Sequence, residues 1–409
     1  MKNFLIVSDK LMLGGLETNI ISTVKALVKL GHNVYIFARE YSLSFKQSLK
    51  EVSNVTLLDS DLSFDGWGTT TDLIDAVSEL EEVIERFNID VVHAHPFNSI
   101  VIALFAAKRK GVEIWVTLHG PVSLTLSNSY YNLLKVLGGL FDRCFAVSEE
   151  VLYLAKPFFT NIELVRNSVF IDEYERLEKP RELIKKVIVV SRLDEDKVSG
   201  ISHLLSLLKH ADILIDIAGE GNNRECLESF VADNGLQERV RFLGHLREVT
   251  SIFPQYDFVA GMGRVVVEAM VGGLPVCLVG YDGVKGFVSD DNLSVFQKTN
   301  FSGRGVRNKE EISIGESFPT VSQSKLKDFS SSEQWKNLLE CRQRRWSLPF
   351  FKKEKSFIND FFECLKYKIG YLEQADTPYL LDNVFWDTLE DWLVSLKSDS
   401  VEKFIVGYF

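Results

Sequence analysis

The sequence is poor in cysteine and carries no long apolar run. Its five cysteines, Cys144, Cys226, Cys277, Cys341 and Cys364, are odd in number, widely spaced and form no Cys-x-x-Cys pair. That spacing excludes a disulfide framework or a zinc knuckle as the organising device, and a reducing cytoplasm is the expected location. At the amino terminus only Phe4 to Val7 is continuously apolar before Ser8, Asp9 and Lys10, too little for a signal peptide. The longest nearly unbroken apolar stretch, Ser99 to Ala107, is about half of a membrane span. A soluble chain is expected, or one lying at most on a membrane surface. Basic residues are outnumbered, 46 Lys and Arg against 57 Asp and Glu, for a net charge of −11. That balance argues against a nucleic acid as the main partner.

Several chemical signatures are missing as well. The loop after the first apolar run reads Ser8-Asp9-Lys10-Leu11-Met12-Leu13-Gly14-Gly15. It lacks the Gly-x-Gly-x-x-Gly of a dinucleotide oxidoreductase. There is no Gly-Lys-Ser/Thr phosphate loop, no Gly-x-Ser-x-Gly nucleophile elbow and no His-Glu-x-x-His. No metal site is expected.

What is present is alternation. At about 150 residues per domain, 409 residues make two to three domains. Phe4–Val7, Val34–Phe37, Val55–Leu58, Ile89–Val92, Ile114–Leu118 and Arg143–Val147 read as strands. Between them Thr18–Leu30 and Leu73–Phe87 repeat apolar residues at helical spacing, with Gly31 placed to end the first helix. The pattern restarts after a charged stretch, Asp172 to Lys186, with strands at Lys186–Val190, Ile213–Ala218, Val240–Leu243, Tyr256–Val259 and Pro275–Val279. Ile201–Leu208, Arg224–Asn234 and Arg264–Val271 are the helices between them. Strands that are apolar throughout, alternating with helices, form parallel sheets covered on both faces. The expected fold is α/β, two doubly wound Rossmann-like domains facing a cleft, with a mostly helical carboxyl-terminal extension. The expected divisions are residues 1–172, 186–307 and 308–409, the last irregular and then helical, packing back on the first domain.

The candidate residues lie at strand ends. Gly14-Gly15 precedes the first helix, where backbone amides can approach an anion without a Cβ in the way; an ordinary turn would look the same. Arg192 follows a strand directly and Lys197 lies five residues on, a pair suited to a diphosphate or to a solvated surface. In Ala260-Gly261-Met262-Gly263-Arg264-Val265-Val266-Val267-Glu268 a strand is expected to end at Val259, two glycines to turn, and a helix to begin near Gly263. Its free amides would face the cleft. Glu268, about a turn inside, needs a polar partner such as a ligand hydroxyl, or else serves the helix dipole. His93, His95 and His119 fall at strand ends of the first half, with His119 the first candidate for a ligand contact and His95 the second.

These residues resemble the GT-B-fold glycosyltransferases of the retaining family 4 type, which use nucleotide-activated sugars. The resemblance runs from Met1 to about Gly305. Its parts stand in order: Gly14-Gly15-Leu16-Glu17; Val91-Val92-His93-Ala94-His95; Thr117-Leu118-His119-Gly120; Ala146-Val147-Ser148; Val189-Val190-Ser191-Arg192-Leu193 with Lys197 and Gly200; Ile217-Ala218-Gly219-Glu220-Gly221; Val240-Arg241-Phe242-Leu243-Gly244; and Glu268-Ala269-Met270 with Gly272 and Pro275-Val276. The resemblance implies a metal-independent hexosyltransferase with no cofactor. Its partners would be a nucleoside-diphosphate sugar and a glycan or lipid-linked acceptor, as in surface polysaccharide biosynthesis. It implies that Arg192 and Lys197 hold the diphosphate, that Glu268 binds the donor ribose and that His119 lies beside the transferred sugar. Gly14 and Gly15 would approach the diphosphate or the acceptor. Gly219, Gly263 and Arg264 complete the donor candidates; His95 is the acceptor-side candidate, and His119, Arg192 and Lys197 are the catalytic set.

One position departs from the family. Where a second glutamate usually stands eight residues before the ribose-binding one, this chain has Ala260. That implies altered donor recognition, with Arg264 or a backbone amide substituting. It also leaves open an epimerase or hydrolase of the same fold, or a non-catalytic scaffold. Residues 341–355 interleave six basic side chains with Trp346, Phe350 and Phe351. Such a stretch suits an anionic membrane surface, at the inner face of the cell membrane, or a solvated helix end with inward aromatics.

Overall fold

The computed structural model describes residues 1–340 except 13, 61–69, 96–98, 125–133, 135–136, 160, 175, 178–184, 247 and 313–317. The stretch 341–355 and the rest of the tail, Cys341 and Cys364 included, lie outside the described residues. Cys144, Cys226 and Cys277 are free thiols.

Two parallel sheets organise the chain. The strands of the first half are β1 (Asn3–Val7), β2 (Lys10–Leu11), β3 (Asn33–Ala38), β4 (Glu40–Tyr41), β5 (Val55–Asp59), β6 (Val91–Ala94), β7 (Glu113–Leu118), β8 (Arg143–Ala146) and β9 (Ile162–Leu164). Seven of them form one sheet in the order β5-β3-β1-β6-β7-β8-β9, while β2 and β4 pair separately. The second half contributes β10 (Lys186–Val190), β11 (Leu214–Ala218), β12 (Val240–Gly244), β13 (Phe258–Gly261), β14 (Val276–Val279) and β15 (Val284–Phe287). Their order is β12-β11-β10-β13-β14-β15, parallel except for β15. The chain direction across each sheet reverses once, between β1 and β6 in the first and between β10 and β13 in the second. Adjacent strand ends at such a reversal leave a crevice, because the connections leave on opposite faces.

The α/β fold expected from the alternation is the one observed, with shifts that matter for the site. The expected strands at Ile89–Val92 and Tyr256–Val259 both begin two residues later and run on to Ala94 and Gly261. At the second, Asp257 is spent before the strand, its Oδ2 accepting the amides of Lys185 and Lys186 at 2.8 Å. The helix expected at Ile201–Leu208 starts earlier, spanning Glu195–Leu207. Gly200 is therefore inside it, where a Cβ would meet the carbonyl oxygen of Gly280 at 2.0 Å. The first helix spans Gly15–Lys29, and Gly31, at φ +83°, ends it as expected. Four strands escaped the sequence: β2 and β4 are two residues each, β9 is only three residues long, and β15 contains Lys285 and Gly286. The Lys285 ammonium is buried but satisfied by Asp282, Asn308 and the Val306 carbonyl.

The helix Ser331–Glu340 returns to the first sheet and packs on Gly15–Lys29. Trp335 stacks on Trp115, ring centroids 6.1 Å apart and 9° from parallel, and meets Phe145 and His93 edge-on. Part of the extension thus packs back on the first domain. No described helix is long and apolar enough to cross a membrane.

Candidate active site

The β1–β6 crevice carries the first group of residues. His93 sits within β6 rather than after it, fully buried, its Nε2 2.7 Å from Thr117 Oγ1. It is a core histidine, and burial pushes its pKa down to about 3. His95 is also fully buried, with Nδ1 2.9 Å from Nε2 of His119. A single proton is shared across that contact when both rings are neutral. Burial holds His95 well below the ordinary imidazole range, and burial together with the Arg264 charge pushes His119 down to about 4. At neutral pH this pair offers neutral hydrogen-bonding nitrogens and no positive charge.

Gly14 precedes the first helix in an extended conformation and Gly15 opens it. A Cβ on Gly15 would meet nothing within 4 Å, so this helix start is open to a ligand. The short strand β2, paired to β4, stands between β1 and this helix, so the connection is longer than a plain strand-to-helix turn. Glu17, to which the sequence assigned no role, turns its carboxylate back onto this loop. It accepts the amides of Met12 and of Glu17 itself, burial raises its pKa, and the Arg192 charge opposes that rise. A first-turn carboxylate in a Gly-Gly-x-Glu segment was the available signal.

The β10–β13 crevice carries the second group. Arg192 follows β10, exposed, and its Nη1 lies 3.1 Å from Asp194 Oδ2. Lys197, expected ahead of the helix, is instead in the first turn of Glu195–Leu207. Burial and the Arg192 charge lower its pKa. The two cations are thus close enough to feel one another, an arrangement that an added anion relieves.

The loop bearing Arg192 is held down by glycines. Leu193 donates its amide to the Glu220 carbonyl at 2.9 Å. Gly219, at φ +146°, comes so close that a Cβ there would lie 1.8 Å from the Ser191 carbonyl oxygen. Gly219 positions this loop by having no side chain. Gly219→Ala is expected to destabilise the chain by about 1–3 kcal/mol, the cost of overpacking against backbone. A urea-unfolding midpoint equal to the native one would show that the loop yields freely.

The helix Arg264–Val271 starts where expected, with Gly263 at φ 67° before it. The two-glycine turn needs correction: Gly261 is the last residue of β13, and only Gly263 takes a left-handed conformation. Ala260 lies within the strand, fully buried among Val187, Val189 and Cys277 of the apolar core. Glu268 does have a polar partner, but a protein one. Arg264 Nε donates to Glu268 Oε1 at 2.8 Å. Burial raises the Glu268 pKa and Arg264 opposes the rise. The guanidinium also donates to the Ser168 carbonyl and to Ser22 Oγ, each at 2.6 Å, so it reaches the first helix of the other sheet.

Further contacts fix the two halves against each other. Asn19 donates to Asn167 at 2.9 Å, Asn167 donates to Asn300 at 3.1 Å, and Arg304 clasps the Glu150 carboxylate. The strand ends of both sheets therefore meet. His119 feels Arg264 across the gap, and Glu17 feels Arg192.

Two doubly wound domains with cations, a buried carboxylate and paired histidines at facing strand ends define a GT-B architecture. Residues 13–172 match the family model described as Glycosyltransferase Family 4, and residues 172–302 match Glycosyl transferases group 1. The chain belongs to the GT-B glycosyltransferases of family 4 type. It is 25% identical over 311 residues to a subunit of the phosphatidylinositol N-acetylglucosaminyltransferase of Homo sapiens, covering 68% of this chain and 63% of that one. It is 24% identical over 281 residues to the O-antigen biosynthesis glycosyltransferase WclY of Escherichia coli, covering 62% of this chain and 77% of that one. Among solved structures, Anabaena HepE in complex with UDP shares the fold at a TM-score of 0.58 and 17% identity, over 83% of this chain and 99% of that one. The chain spans less than two thirds of the human relative's length.

Proposed function

We propose that this chain transfers a hexose-type sugar from a nucleoside-diphosphate sugar to a glycan or lipid-linked glycan acceptor, with retention of configuration and without a metal ion. The observation that carries the reading is the convergence of Arg192 and Lys197, Glu268, and the His95–His119 pair on the facing crevices of the two sheets. A diphosphate leaving group gains negative charge as the bond from the sugar's anomeric carbon to the phosphate oxygen breaks. Fixed cations and a helix start stabilise that charge most in the transition state. The new bond forms from the acceptor oxygen to the anomeric carbon on the same face, and the acceptor proton passes to the departing phosphate oxygen. The neutral imidazoles of His119 and His95 suit hydrogen bonding to sugar hydroxyls, and Glu268 suits the ribose.

The names of the relatives support a role in surface polysaccharide or glycolipid assembly. The inner face of the cell membrane would be the place of reaction, with the basic residues of 341–355 meeting anionic lipid.

The test is a thermal-shift panel with UDP, GDP, ADP, CMP and TDP and their common sugars, UDP first because the Anabaena structure holds it. A ligand at about a hundred times its dissociation constant adds roughly 2.7 kcal/mol of stability. A selective shift by one nucleotide family is expected; no shift with any of them would sink the proposal. Incubation with the selected donor alone then separates chemistries. A transferase hydrolyses it slowly, whereas an epimerase or hydrolase of this fold converts it fully.

A further inference from the structure

The Arg264 side chain does more than its place in the sequence suggests. It is buried, and its three nitrogens reach Glu268, Ser168 and Ser22, while Tyr174 adds a fourth contact. Those partners come from its own helix, the segment connecting the two sheets, and the first helix of the opposite sheet. Only a planar fork fills these directions at once; an ammonium group cannot. Glu268 is bound through Oε1 alone, and Oε2 has no donor among the described residues. The carboxylate is thus held by one oxygen and leaves the other for a ligand.

We propose that Arg264 is the positioning residue of the donor site, a guanidinium anchored across both domains that fixes Glu268 as an ionised, oriented hydrogen-bond acceptor. This rests on the reading of Glu268 as the donor-ribose contact. Arg264 then acts through Glu268 rather than by touching the donor, and it stands at a position where charge is needed for reasons other than phosphate binding. A buried carboxylate without its cation takes up a proton, and a protonated Glu268 accepts ribose hydroxyls poorly. The other titratable groups facing this pair are His119, from the first domain against Arg264, and Tyr174, from the connecting segment against both. Burial holds the Tyr174 hydroxyl above its ordinary range, so it stays neutral throughout the window below.

The experiment has two arms and uses Arg264→Met, Arg264→Lys, Glu268→Gln and the Arg264→Met/Glu268→Gln double variant of the full chain. The first arm is nucleotide-free thermal stability between pH 5.5 and 8.5. In Arg264→Met the folded-state pKa of Glu268 rises further above its unfolded value. Stability is then retained at low pH and lost as pH rises through the raised pKa. The gap in Tm between native and Arg264→Met is expected to widen with pH. The widening shrinks when the same comparison is made in the Glu268→Gln background; the slope that survives there belongs to His119. A guanidinium that only cements the domains gives a gap whose pH slope is the same with and without the Glu268 carboxylate, the slope due to His119 alone.

The second arm is UDP binding by calorimetry at pH 6 and pH 8. The native chain is expected to bind equally at both. Arg264→Met is expected to lose about tenfold in affinity on going to pH 6. Arg264→Lys, which keeps the charge, restores the flat profile at weaker overall affinity. A flat UDP profile in Arg264→Met together with a stability slope that is unchanged in the Glu268→Gln background overturns the proposal. A native chain that binds no nucleoside diphosphate overturns the proposed function and the donor role of Arg264 with it. The stability arm still reports whether Arg264 holds Glu268 ionised, so the two failures are told apart.

Discussion

The Arg192→Ala/Lys197→Ala double variant is expected to bind a nucleoside diphosphate at least about a hundredfold more weakly than the native chain. Each charge-assisted hydrogen bond contributes about 1.5–3 kcal/mol, and two of them removed together reach that factor at the low end. The fold should survive. Arg192 is 69% exposed on its side chain and pairs with Asp194 across a solvated gap, so its loss changes stability by less than about 0.5 kcal/mol. Lys197 is half-buried with its pKa held down by burial and by Arg192. Removing Arg192 alone therefore relieves Lys197 and partly compensates, which is why the double variant is the decisive one. Calorimetric titration with UDP checks it, with Arg224→Ala, an exposed cation on another helix paired to Glu228, as the control. Equal affinity in the double variant would remove the diphosphate from this crevice.

Trp335→Ala is expected to destabilise the chain by about 3–5 kcal/mol, the range for truncating a large buried aromatic. Its side chain is 3% exposed and shares a cluster with Trp115, Phe145 and His93 on the first sheet. The indole joins the last described helix to a sheet whose last strand ends at Leu164. Urea unfolding followed by circular dichroism reads the change. A loss under about 1 kcal/mol would mean that the helix Ser331–Glu340 lies on the sheet without belonging to its core. His93, two residues before His95, touches the same ring, so the same substitution loosens β6.

The strand pattern was legible because both sheets are buried on two faces. β1, β3, β5, β7, β8, β10, β11, β12 and β14 all coincide closely with apolar runs. β9 and β15 were not, one for its length and the other because Lys285 is buried there on Asp282, three residues before it, and on Val306 and Asn308 from beyond the strand. The same limit explains His93. Its neighbours Val91 and Val92 announced a strand but gave no sign of where it would stop, and two residues decided whether the imidazole is core or site. At Gly219 the residue type was visible and its reason was not, since the Ser191 carbonyl that forbids a Cβ comes from the preceding strand end.

By itself the sequence determined the doubly wound halves, Arg192 and His119 near their strand ends and Glu268 a turn inside its helix, because periodicity and turn residues are local properties; the family was legible as a resemblance carried by motifs standing in order. Only the tertiary structure decided what those side chains do to each other. Arg264, a donor candidate by its place in the chain, is tied to Glu268, Ser168 and Ser22; His95 stands against His119; Glu17 lies within the field of Arg192. Each of these depends on a partner from another element, and charge states in a buried crevice are set by such neighbours and by desolvation, which no local pattern encodes.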